Sequence, residues 1–368
     1  MMNYIVNTTL SLIICSACIS CTGERKSEGD LKKAAKIKLA TTALYETDPM
    51  PRQKTDDAAD DPAIWRNPKN QDEVYIIGTD KKGGLAIYNL KGETVNYYED
   101  GKMNNVDVCY EFKLGADTID IVASSNRTTK GISLYKITSG GILSKIGNDL
   151  ISKMHGEVYG FCLYVSPKDQ KYYAFVNSKN GEVEQWELTD DSGHIVGNIV
   201  RRFDLGTQTE GMIADNENQT IFIGEERKGI YKFNAEPDGS IQGEFVNMSS
   251  KSENKNIEFD IEGLSIYYLP EGDGYLLASS QGNYSYAVFN RKAPHKYIGN
   301  FRVTDGVVDG VEETDGIDIF SFPLNDDFKH GLFVAQDGFN YDGKEYKAQN
   351  FKLITWENIA RLFNLKMN

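Results

Sequence analysis

Six short apolar runs in this chain each begin behind a polar residue, and four of those residues are carboxylates. Asp60 precedes Asp61-Pro62-Ala63-Ile64-Trp65, Glu210 precedes Gly211-Met212-Ile213, Glu262 precedes Gly263-Leu264-Ser265-Ile266, and Asp315 precedes Gly316-Ile317-Asp318-Ile319. Asn105 and Tyr159 take the same place before Val106-Asp107-Val108 and Gly160-Phe161-Cys162-Leu163. One acidic residue at such a place is ordinarily just solvated. Several that recur around one axis repel each other unless cations sit between them. Oxygen donors without paired His or Cys suit Ca²⁺ rather than Zn²⁺ or copper. The turns after the following apolar runs carry Lys81, Arg127, Lys179 and Glu225. Their cations suit a polyanion, most simply phosphate, which Arg grips with two hydrogen bonds. Metal ions and cationic side chains around a phosphate ester would make a hydrolytic site.

The elements that must position these residues are strands, because hydrophobic periodicity is two almost throughout residues 60–355. The six polar starts are 45, 54, 51, 52 and 53 residues apart. A second register is an apolar run, a polar turn and another run ending on Tyr88, Tyr135, Trp186, Phe233, Phe289 or Trp356. Two registers with the same count predict an all-β fold: a six-bladed β-propeller of four-stranded antiparallel blades. The start of each inner strand and the end of the second then emerge on one face, so both residue sets share one rim. The segment before Asp60 is expected to add an outer strand that closes the ring. Thr355 followed by Trp356, Ile359, Ala360 and Phe363 predicts a short C-terminal helix.

Composition narrows the partners. With 40 Lys+Arg against 54 Asp+Glu the 368-residue chain carries a net charge of −14, which argues against a nucleic-acid partner. Residues 1–21 read as a signal peptide: an apolar stretch too short to span a membrane, then an abrupt polar turn after Cys21. The segment Cys18-Ile19-Ser20-Cys21 resembles a bacterial lipobox with Cys21 as the lipidated residue. An ordinary cleaved signal is the alternative, so the chain is expected to be an exported periplasmic or cell-surface lipoprotein, or secreted. Residues 22–47 read as a tether and 48–368 as the propeller. Cys109 and Cys162 are expected to be free buried thiols, and a closed ring with little strand edge is expected to be a monomer. His155, His194, His295 and His330 form no Arg-His-Gly segment, neither Cys109 nor Cys162 opens a Cys-x5-Arg loop, and no Gly-Lys-Ser/Thr phosphate loop occurs.

The segments Asp57-Ala58-Ala59-Asp60-Asp61-Pro62, Asn104-Asn105-Val106-Asp107, Ser125-Asn126-Arg127, Val158-Tyr159-Gly160-Phe161, Thr209-Glu210-Gly211, Asp260-Ile261-Glu262-Gly263, Thr314-Asp315-Gly316 and Gln336-Asp337-Gly338 fall in order along the chain. Together they resemble the bacterial β-propeller phytases, from about residue 45 to the C-terminus. The resemblance implies calcium-dependent removal of phosphate from myo-inositol hexakisphosphate (phytate), a 3-phytase activity, by direct attack of a calcium-activated water. It implies that Asp60, Tyr159, Glu210, Glu225, Glu262 and Asp315 hold several catalytic Ca²⁺ ions. It further implies that Lys81, Arg127, Tyr159 and Lys179 bind phosphate, and that Asp61, Asp309, Asp337 and Asn340 belong to structural calcium sites. Three residues depart from the family pattern: Asn180 and Phe339 stand where acidic residues are expected, and Cys109 where a basic one is. Two other readings stay open on the residues alone. A calcium-dependent hydrolase of another class would leave Lys81, Arg127 and Lys179 without a role, and a surface binding module would hold phosphate esters without turnover.

Overall fold

A computed structural model of the chain describes residues 28–53 and 57–368, so the Cys18–Cys21 segment lies outside the described residues. The alternating runs form six sheets arranged as the blades of a propeller, as the two registers predict. Blade one runs outward through Ala59–Arg66, Val74–Asp80, Gly84–Asn89 and Thr94–Tyr98, each strand antiparallel to the one before. The inner strands of blades two to five are Met103–Leu114, Val158–Val165, Thr209–Asp215 and Ile261–Tyr268. Blade six is Ile317–Phe320, Leu332–Asp337 and Asn350–Thr355, with Tyr45–Glu46 as its outermost strand. Each inner strand touches the next, and the last touches the first. The N-terminal segment therefore closes the ring, as expected.

The boundary expected at residue 47 is not a boundary of the fold. Within the expected tether, Glu28–Ala34 is helical, and Leu39–Thr42 pairs in parallel with Tyr297–Thr304 at the outer edge of blade five. An outer strand presents unpaired N–H and C=O groups, so a passing segment that pairs with it also covers it.

The apolar residues of each blade pack against the next blade, which gives one hydrophobic core per junction. Fully burying one such Ile or Phe contributes about 1.5–3 kcal/mol, so the ring rests on many separate contacts. Carboxylates add directional ties. Asp61 accepts from Val106 N (3.1 Å), Asp107 from Leu163 N (2.7 Å) and Asp318 from Ile64 N (2.8 Å), each on the neighbouring blade. The predicted C-terminal helix is Trp356–Phe363, entered through Thr355. Trp356 stacks on Tyr267 with ring centroids 4.0 Å apart. Cys109 and Cys162 are free and buried, in different inter-blade cores.

What positions the rim residues is a repeated β-bulge. The register of the inner strand slips between Ala59 and Pro62, Met103 and Val106, Val158 and Phe161, Thr209 and Met212, and Ile261 and Leu264. A bulge kinks a strand and re-aims its side chains. The first bulged residue in each case is Asp60, Asn104, Tyr159, Glu210 or Glu262. In three blades the second is Gly, because a Cβ on Gly160, Gly211 or Gly263 would strike the backbone of the next blade. In those three blades the backbone of the next blade leaves no room there for a side chain.

Candidate active site

The bulges place five residues at equivalent positions, Asp60, Asn104, Tyr159, Glu210 and Glu262, and Asp315 takes the sixth place just before the last inner strand. The second of these is Asn104, not Asn105. Its amide is fully buried and donates to Glu210 Oε1 at 2.8 Å. A second ring follows from a repeated backbone bond at the end of the second strand in blades one to five. Lys81 N donates to Ala58 O, Arg127 N to Lys102 O, Lys179 N to Glu157 O, Glu226 N to Gln208 O and Gln281 N to Asp260 O. Lys81, Arg127, Lys179, Glu226 and Gln281 are therefore blade-equivalent.

This corrects one expected ligand. Glu226, not Glu225, faces the carboxylates: one oxygen each of Glu210, Glu226 and Glu262 lies within 4.8 Å of the others. Glu225 ends the strand one residue earlier, so alternation turns it aside, where it accepts from Thr207 and pairs with Lys228.

Electrostatics show what the cluster lacks. Burial drives Asp60 and Glu262 well above the usual carboxylate range, and the charge of Glu210 pushes both further. Burial, with Glu210 beside it, lifts Glu226 to about 8. Asp315 reaches only about 6, because Lys81 partly offsets its burial. Asp60 Oδ1, Glu226 Oε1 and Glu262 Oε2 are buried without a hydrogen-bond partner. Buried, mutually repelling oxygens with open lone pairs and no soft donors among them fit a hard divalent cation such as Ca²⁺.

The cations stand beside the cluster. Lys81 Nζ lies 2.7 Å from Asp315, 2.6 Å from Asp57 and 3.8 Å from Asp60. Burial opposes its charge, but these carboxylates outweigh burial and hold its pKa well above the usual range. Lys179 Nζ sits 4.5 Å from the Tyr159 ring centroid, and the Arg127 guanidinium 6.0 Å from it. Burial and the surrounding carboxylates raise the Tyr159 phenol far above its ordinary value, so its O–H stays a donor. Asn180 is exposed, its Oδ1 accepts from Ser178 Oγ at 2.5 Å, and it offers the rim no charge.

The residues implied for structural calcium do not form one group. Asp61 lines the space between the inner strands and is tied to blade two through Val106 N. Asp309, Asp337 and Asn340 instead gather with Glu46 around the fully buried ammonium of Lys352, at 3.3 Å from Asp337 and 3.5 Å from Asn340. Three carboxylates around one ammonium leave net negative charge, and Asp337 Oδ2 has no hydrogen bond, so oxygen donors for a cation remain. Phe339 adds none, since it is buried against Ala34 and Tyr284.

A family model described as Phytase matches residues 4–368. A 3-phytase of Bacillus subtilis (strain 168) is 47% identical over 327 residues, covering 87% of this chain and 84% of that protein. A crystal structure from Bacteroides thetaiotaomicron VPI-5482 superposes with a TM-score of 0.50 at 10% identity, covering 80% of this chain and 71% of that one. That likeness bears on the fold alone. Matched over nearly its whole length, with the propeller fold in place, the chain belongs to the phytase family in its bacterial β-propeller form.

Proposed function

We propose that this protein is a calcium-dependent 3-phytase that releases phosphate from myo-inositol hexakisphosphate. The observation that carries the reading is the juxtaposition, on one rim, of a buried unneutralised carboxylate cluster with Lys81, Arg127 and Lys179. Asp60, Glu210, Glu226, Glu262 and Asp315 would hold the calcium ions, with Tyr159 beside them. A calcium site there would supply charge neutralisation for the phosphate and a water of lowered pKa for direct attack on phosphorus.

The chain's own side chains bind and orient. Arg127 can present two N–H donors to one phosphate, and Lys81 and Lys179 add point charges to the same group. The Tyr159 hydroxyl donates to a phosphate oxygen while its ring carries Lys179. Such fixed donors stabilise charge that spreads over the equatorial oxygens as the phosphoryl group transfers. Cys109 and Cys162 lie in inter-blade cores, out of reach as nucleophiles. Export through the Cys18–Cys21 segment, as a lipoprotein or after ordinary cleavage, and a monomeric state complete the proposal.

Phosphorus NMR tests the reaction. With calcium present, the ester signals of inositol hexakisphosphate should shrink as inorganic phosphate grows. An unchanged spectrum with folded, calcium-loaded protein would remove the phytase reading and leave a phosphate-ester binding module.

A further inference from the structure

We infer that Glu157 is a positioning residue that aims Arg127 at the calcium-binding cluster. The inference rests on the phytase reading and deepens it. Glu157 lies two residues before Tyr159, at the place that Ala58, Lys102, Gln208 and Asp260 occupy in other blades. Only in blade three does that place hold a carboxylate between two phosphate-binding cations. Glu157 Oε1 accepts from Arg127 Nε at 2.8 Å, and Oε2 lies 3.5 Å from Lys179 Nζ. Arg127 comes from blade two and Lys179 from blade three, so one carboxylate spans the junction.

The guanidinium is held from its other side as well. Arg127 Nη1 lies 3.4 Å from Asn104 Oδ1, and Asn104 Nδ2 donates to Glu210 Oε1 at 2.8 Å. A line of contacts thus runs from Glu157 through Arg127 and Asn104 to a calcium-binding carboxylate. A guanidinium has five N–H donors in a rigid fork. Fixing Nε and one side of Nη1 leaves the Nη2 edge for phosphate oxygens and prevents the fork from swinging into solvent. Asn104 is fully buried and cannot move, whereas the Glu157 side chain is 42% exposed. Glu157 is therefore the end of this line that can be altered without opening the core.

An opposite role would be that of a competing anion, which fills the phosphate place and must leave. The two roles predict opposite shifts. If Glu157 positions Arg127, Glu157→Ala raises KM for phytate about tenfold, the scale of one charge-assisted hydrogen bond, with a much smaller change in kcat. Glu157→Gln recovers most of that loss, because its amide oxygen still accepts from Nε. Affinity for the non-hydrolysable myo-inositol hexakissulfate, measured by calorimetry, weakens in Glu157→Ala by a similar factor. Melting temperatures stay close to wild type, since an exposed ion pair contributes little to stability. A lowered KM in both variants would show a competing anion and overturn the inference. So would an unchanged KM, or a Glu157→Gln protein as impaired as Glu157→Ala. Should the hexakissulfate shifts occur in a protein that releases no phosphate, the Arg127 inference stands and the phytase reading falls.

Discussion

Glu226→Gln is expected to lower calcium-dependent phosphate release about a hundredfold or more, whereas the same change at its neighbour Glu225 leaves the rate within about twofold. The contrast comes from one residue of strand register. Glu226 follows the end of its strand at the place where other blades carry Lys81, Arg127 and Lys179, and its carboxylate joins Glu210 and Glu262. Gln keeps the shape but removes the charge that a hard cation requires. Initial rates at saturating phytate over a calcium titration would read this. Equal losses in the two variants, or loss in Glu225→Gln alone, would mean that the ring is misassigned.

Lys352→Met is expected to destabilise the fold by about 3–5 kcal/mol, the cost of leaving buried charges without their partner. Met matches the length of the stem, so packing changes little while Glu46, Asp309 and Asp337 lose their shared ammonium. Those carboxylates come from the ring-closing strand, the loop before blade six and blade six itself. The loss therefore falls on the joint that closes the propeller. Scanning calorimetry in chelator should show a fall in melting temperature of roughly 4–7 °C. A shift of less than about 1 °C would show that the Lys352 hub does not secure closure.

How much of this the sequence carries varies by residue. Blade number and strand order are legible because alternation is local and repeats, and because the rim residues recur at blade spacing. The two misplaced positions fall at doublets. Asn104-Asn105 and Glu225-Glu226 offer two identical side chains at one site, and a bulge or strand end decides which of them faces the rim. The signal was there to be counted: Glu210, Glu262 and Asp315 each stand two residues before the first apolar residue of their run, as Asn104 stands before Val106. Lys352 carried no such signal, since its partners lie at residues 46, 309, 337 and 340 and meet only through the closed ring. Residues 39–46 read as tether because two- and four-residue strands on a blade edge have too little apolar pattern to announce themselves.

The most direct test of the calcium ring as the catalytic centre is the rate of phosphate release from phytate against free calcium, followed by excess chelator and then by restored calcium. The rate is expected to rise as calcium fills the ring, fall to background with chelator and return when calcium is restored. Phosphate release that persists in chelator, with the protein folded, would contradict it.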